Sequence, residues 1–375
     1  MDFAVFVVVV GARVFLPLAI FRFPLPAILA CLVVDGLDQT IFQTFTSLDL
    51  EGYQSYDKAL DIYYLTLAYV ATLRNWTNLF AVRIARFLLY YRLVGVVLFE
   101  LTDQRWLLMV FPNTFEYFFI AYEAVRIRWD PRRMSSRLLI GITAFIWIVI
   151  KLPQEWWIHV AQLDATDTIK EYIFGVPTTA TWAEAIAARP MVIVVVAVAL
   201  IAAAFAVRWL LLYRLPPADR PPTFDADERQ PAVPVAAIER ERRRIAARLI
   251  DRELGEKVLL VSLVSIVFGQ MLPDVSASPT QIAIGVGLVI VANAAISEGW
   301  SRRRGTDATG WDSAISQFLV MLGMNVAIVI VGGGILGWLT GAAIEHATVF
   351  VLLLTLIVTA YDRYRPIHAA RFATV

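Results

Sequence analysis

Apolar runs fill most of the chain, and the residues between them change character from one connection to the next. With their Gly, Pro and charged punctuation, the runs predict eleven helices, at 3–21, 24–45, 58–74, 78–100, 105–127, 137–159, 191–213, 257–273, 281–298, 314–338 and 346–363. The plainest are "MVIVVVAVALIAAAFAVRWLLLY" (191–213), "QIAIGVGLVIVANAAI" (281–296) and "TVFVLLLTLIVTAY" (348–361). A helix crosses the hydrocarbon layer with about 20 apolar residues, and several runs reach that length. The pattern therefore predicts an all-α fold, a polytopic helical membrane protein with about 11 transmembrane helices. Composition agrees. The 375 residues are 59% hydrophobic, where a soluble domain has roughly 45–50%.

Arginine sets the expected orientation. "FRFP", "RIRWDPRRMSSR", the stretch 214–256, "SRRR" and "YDRYRPIHAAR" are rich in it. The alternate connections "SLDLEGYQSYDK", "ELTDQR", 160–189, "LPDVSASP" and "GWLTGAAIEH" are poor in it. Cytoplasmic loops hold the excess of basic residues, so the N-terminus is expected outside and the C-terminus in the cytoplasm, in a cytoplasmic (inner) membrane. The chain then divides into a charge-rich six-helix transmembrane bundle (1–160), an outer loop (161–189), one helix (190–213), a cytoplasmic stretch (214–256), a four-helix bundle (257–363) and a cytoplasmic tail (364–375).

The cytoplasmic stretch opens as a Pro-rich linker, "RLPPADRPPTFDADERQPAVP", and continues as "VAAIERERRRIAARLIDRELGEK". Ile238, Ile245 and Leu249 fall on one side of a predicted basic helix at 235–255, suited to the inner leaflet or to a protein partner. Gly333, Gly337 and Gly341 recur at a spacing of four and predict a small-residue face for helix packing or a homo-oligomer.

Several charges fall inside the predicted spans, where an unpaired charge costs several kcal/mol and pairing relieves much of it. Arg13 precedes the turn near Phe23 by ten residues and Asp35 follows it by twelve, so an antiparallel hairpin predicts contact of Arg13 with Asp35 or Asp38. Asp35, Asp38, Gln39 and Gln43 form one polar stripe at helical spacing. About the turn near Asp103, the same arithmetic predicts ion pairs Arg92–Glu116 and Arg83–Glu123, with Arg86 free to reach Asp35 or Asp38. Lys151, Glu155 and His159, at i, i+4 and i+8, form a polar ladder expected toward the outer surface, with a proton relay as its sharper use.

Net charge of +1 gives no case for a nucleic-acid partner, and a single cysteine, Cys31, excludes an internal disulfide or Cys-based metal cluster. No phosphate-binding glycine loop, H-E-x-x-H or G-x-S-x-G occurs, so no cofactor or metal is predicted. The leading expectation is a transporter or permeation protein for a small solute, ion or lipid, in which buried carboxylate–arginine pairs exchange protons. A membrane enzyme acting on a lipid-linked substrate is the second expectation, with the outer acids Asp49 and Glu51, beside Asp57 and Asp61, as its bases. A non-catalytic subunit of a membrane complex is the third. Membrane lipid is the partner common to all three.

Overall fold

The computed structural model describes residues 2–46, 53–161, 163, 165–213, 216–229, 232–247, 252–270, 287–289, 291–292, 295–296, 311–336 and 341–373. Asp49, Glu51, Gly337 and most of the predicted helix 281–298 lie outside them, as do the side chains of Gln39 and Gln43. The stripe of Gly333, Gly337 and Gly341 is therefore not described as a packing face.

Among the described residues the fold is helical and holds no strand. α1 (Asp2–Phe15) tightens at Pro17 into a 3-10 segment, Leu16–Phe21. Pro24 and Pro26 then open α2 (Pro24–Phe45), since a proline in the first turn removes an N–H that has no partner there. α3 (Tyr53–Asn75) returns, and Asn78 starts α4 (Leu79–Thr102) by accepting the N–H groups of Phe80 and Ala81. Asp103, in the left-handed region at φ 53°, ends that helix.

The predicted helix 105–127 is two pieces, α5 (Trp106–Val110) and α6 (Thr114–Arg126), because Pro112 interrupts the backbone ladder. α7 (Ser136–Val160) includes π-helical turns at Ile146–Lys151 and Trp156–Val160. The remaining long helices are α8 (Met191–Tyr213), α9 (Val235–Ala246), α10 (Arg252–Gln270), α11 (Trp311–Leu336) and α12 (Gly341–Ala373). α12 runs through Pro366 and on past the predicted end at 363.

Among the described residues, four helical stretches are long and apolar enough to cross a membrane: Ala4–Phe21, Ser136–Val160, Met191–Trp209 and Ala347–Ala373. The most apolar of them, Met191–Trp209, is also the least covered, with none of its residues buried against protein. An all-round apolar helix needs an apolar surrounding, and here lipid is the one that fits a membrane protein.

α3 occupies the centre. Tyr63, Leu67, Ala68, Tyr69, Val70 and Ala71 are fully buried, although polar residues at its start make it one of the less apolar long helices. α12 packs along α3 and carries α11 on its other side, while α10 packs against α4 and α12. One continuous apolar cluster runs from Val14 to Tyr364. α9 lies against α12, with Ile238 and Ile245 half-buried, and Leu249 lies outside the described residues.

The Pro-rich stretch is hydrogen-bonded to one end of the bundle. Ala226 N–H donates to Arg22 O (2.8 Å), and Asp219 N–H donates to Arg128 O (2.9 Å). Asp225, Asp227 and Asp219 pair with Arg22 (2.9 Å), Arg74 (2.5 Å) and Arg133 (2.6 Å). The segment 216–229 is thus a strap across the ends of α1, α3 and α6.

Candidate functional site

Among the described residues, three polar centres gather several charges each. The first gathers on Arg13, near the end of α1, whose side chain is 3% exposed. Its guanidinium contacts Asp35 and Asp38 of α2 and Asp57 of α3, and reaches Asp61 of α3 at 2.6 Å. Both of the predicted Arg13 partners are present, joined by Asp57 and Asp61, which were expected as outer-facing acids. Asp57 and Asp61 stand one helical turn apart and meet the α2 stripe from the opposite side.

Asp35, Asp57 and Asp61 hold their carboxylate oxygens within 4.8 Å of one another. Oxygen donors so spaced suit a hard cation, but Arg13 is bonded to all three and supplies that charge internally. One guanidinium faces four carboxylates, a formal excess of three negative charges among the described residues. Arg13 and Asp38 are sealed, whereas the side chains of Asp35, Asp57 and Asp61 are 26%, 24% and 38% exposed. The centre has one closed side and one open side.

The second centre surrounds the break at Pro112. A broken helix frees backbone polar groups, and away from water each needs a partner. Arg92 donates to Phe111 O (3.1 Å), and Glu155 accepts from Asn113 N–H (3.2 Å). Glu155 also meets Lys151 (3.2 Å) and His159 (3.0 Å), so the predicted ladder exists with Glu155 at its hub. The predicted Arg92–Glu116 pair does not form. Arg92 is engaged at the break, and Glu116 instead accepts from Tyr64 OH (2.6 Å) and Asn113 Nδ2 (3.0 Å).

The third centre is built on Glu123, whose side chain is fully buried. Its Oε1 accepts from Trp76 Nε1 (2.7 Å) and Arg126 (2.6 Å), and its Oε2 from Arg229 (3.1 Å). The predicted Arg83–Glu123 pair is overturned because Arg126, on the same helix, and Arg229, from the strap, fill the carboxylate. Arg83 is exposed and has no ion-pair partner among the described residues. Arg86 does not reach Asp35 or Asp38; it pairs with Glu256 of α10 at 3.2 Å.

Sequence reasoning missed Arg126, Arg229 and the roles of Asp57 and Asp61. The i,i+3 spacing of Glu123 and Arg126, and the i,i+4 spacing of the two aspartates, are signals that point to them. Nothing local marks Arg229, which meets Glu123 across 106 positions of sequence. The "NWT" at 75–77 has the form of a glycosylation sequon, but Asn75 is fully buried and donates to Phe21 O (3.0 Å).

No protein-family model, curated protein or solved structure matches the chain. Its chemistry is therefore argued from these three centres. Two of them have their charges balanced or tied to backbone groups. Only the Arg13 centre combines an excess of one charge with an open side.

Proposed function

We propose that the chain is a multi-pass membrane protein that moves protons, coupled to a small solute or ion, through the Arg13 centre. The observation that carries this is the four-to-one ratio of carboxylates to guanidinium, with three of the four carboxylates partly exposed. An excess of buried negative charge is expensive in a low-dielectric surrounding, so the centre retains protons or cations. Asp35, Asp57 and Asp61 are the exchanging groups, and Asp38 holds Arg13 on the sealed side. Loading a proton weakens one carboxylate's hold on Arg13, and movement of Arg13 between acids of α2 and α3 couples that proton to a shift of those helices.

The eleven-helix arrangement, with the N-terminus outside and the C-terminus cytoplasmic, belongs to the same proposal. Its support is the gathering of arginine-rich connections at one end of the bundle. Arg22, Arg74, Arg133 and the strap meet there, and Arg371 of α12 donates to Trp76 O (2.9 Å). Most charges of α2, α3, α4 and α6 are turned toward one another or toward backbone groups, Arg83 being the exception.

The experiment is proton flux in proteoliposomes holding a pH-sensitive dye. Asp61→Asn, at the most exposed acid, is expected to fold normally and lower flux at least about tenfold, a change of roughly 1.4 kcal/mol in barrier. Normal flux in a folded Asp61→Asn, Asp35→Asn double variant would remove the proposal. Loss of folding in both single variants would assign the centre to stability.

A further inference from the structure

Arg83 and Arg86 are left outside all three centres, and both face the same cavity. It measures about 450 Å³, is open to the outside, and lies where α4 begins and α12 ends, with α9 along its rim. A volume of roughly 300–1,000 Å³ is usual for a small-ligand site. Four arginines line it, Arg83, Arg86, Arg244 and Arg365, against two acids, Glu241 and Glu256. Arg86 pairs with Glu256 at 3.2 Å and Arg244 with Glu241 at 3.5 Å. Both acids are engaged, and among the described residues that line the cavity the basic side chains outnumber the acids by two.

One of these arginines, Arg83, has no ion-pair partner among the described residues. The lining also holds apolar side chains, among them Leu73, Val82 and Phe372. Guanidinium groups match phosphate geometry by paired N–H donors, and apolar side chains beside them suit a ligand with a hydrocarbon part. Basic pockets between helices of membrane proteins hold phosphate headgroups by this combination.

We propose that this cavity binds a phosphate group, carried by an anionic phospholipid or by a soluble phosphate compound, with Arg83, Arg86, Arg244 and Arg365 as its donors. The site stands apart from the Arg13 centre and does not depend on proton movement. It gives α9 a task, because Arg244 brings that helix to the ligand and the ligand then ties α9 to α4.

The full chain, stripped of lipid and placed in phosphatidylcholine nanodiscs, is titrated with phosphatidylglycerol and separately with inorganic phosphate. Binding is read by native mass spectrometry for lipid and by calorimetry for phosphate. Saturable binding of lipid alone identifies a headgroup site, and saturable binding of phosphate identifies a soluble ligand. An arginine near anionic lipid contributes about fivefold in affinity, so Arg83→Gln with Arg86→Gln should weaken binding roughly twenty-five-fold. Arg244→Glu, at a side chain 59% exposed, tests the site without disturbing the bundle and should weaken binding at least about fivefold. Unchanged affinity in the folded variants, or no saturable binding of either probe, overturns the proposal.

Discussion

Replacing Glu123 by Gln removes one charge and almost no volume, so its effect isolates the electrostatics of the third centre. In the native fold Arg126 and Arg229 share that carboxylate, and their side chains are 3% and 0% exposed. Arg126 keeps a second acceptor, Asn75 O at 2.7 Å, and Arg229 keeps Thr223 O at 2.8 Å. Neither acceptor carries a charge. Two buried guanidiniums would then face each other across a neutral amide, and breaking a buried pair in this way costs about 3–5 kcal/mol. Trp76 still finds an acceptor in the Gln oxygen, so its share of the loss is small. The assay is reversible unfolding in mixed detergent, followed by circular dichroism, for Glu123→Gln, Arg229→Gln and the double variant. The double variant should recover part of the loss, with a coupling of about 1–3 kcal/mol. A loss below about 1 kcal/mol in Glu123→Gln, or strict additivity, would refute the assignment of Glu123 as counter-ion to both arginines.

Other expectations follow from the remaining packing and charges. A Cβ on Gly95 would stand 2.1 Å from Phe111 Cβ, so Gly95→Ala should cost about 1–3 kcal/mol of stability in the same unfolding assay. Glu155→Leu removes the acceptor for Asn113 N–H and the partner of Lys151, and should destabilise by about 3–5 kcal/mol. The strap should be acid-sensitive. The Asp225 carboxyl is held below its usual range by the Asp227 N–H and by Arg22. Burial opposes the charge of Asp130, but hydrogen bonds from Arg132 outweigh it and also hold that carboxyl low. Groups depressed on folding stabilise above their unfolded value and lose that contribution as pH falls through the folded one. Hydrogen exchange at Ala226 N–H should therefore stay constant from neutral pH down to about 5 and quicken, after correction for intrinsic rate, below about 4. An unchanged protection factor there would separate the strap from these acids.

Depth arithmetic worked for Arg13 because the turn near Phe23 is short and the 3-10 segment Leu16–Phe21 keeps the chain helical up to it, with α2 unbroken beyond. It failed for Arg92 and Arg83 for a physical reason. Pro112 splits the returning helix, so residue separation no longer measures depth, and the freed Phe111 carbonyl takes the guanidinium that the arithmetic assigned to Glu116. The helical class and most element positions were legible in the apolar runs. The central place of α3 was not, because Tyr, Thr and Asp lower its hydropathy while its neighbours bury nearly every side chain. Asp57 and Asp61 were read as outer-facing acids because the helix was expected to begin only at 58, whereas α3 starts at Tyr53 and turns both toward Arg13. The strap was invisible for another cause. A Pro-rich, charged stretch has the composition of a linker, and only the partners at Arg22, Arg74 and Glu123 turn it into a bound segment.

The claim that the Arg13 centre carries exchangeable protons is open to infrared difference spectroscopy on the full chain in lipid. A protonated carboxyl has a carbonyl stretch separate from that of a carboxylate, so protons held at the centre are seen directly. Stepping the pH between 8 and 6, about the physiological range, should give a carboxyl band in the wild type that is lost or diminished in Asp61→Asn and in Asp57→Asn. A wild type with no such band, or a band untouched by both substitutions, would contradict proton exchange at this centre.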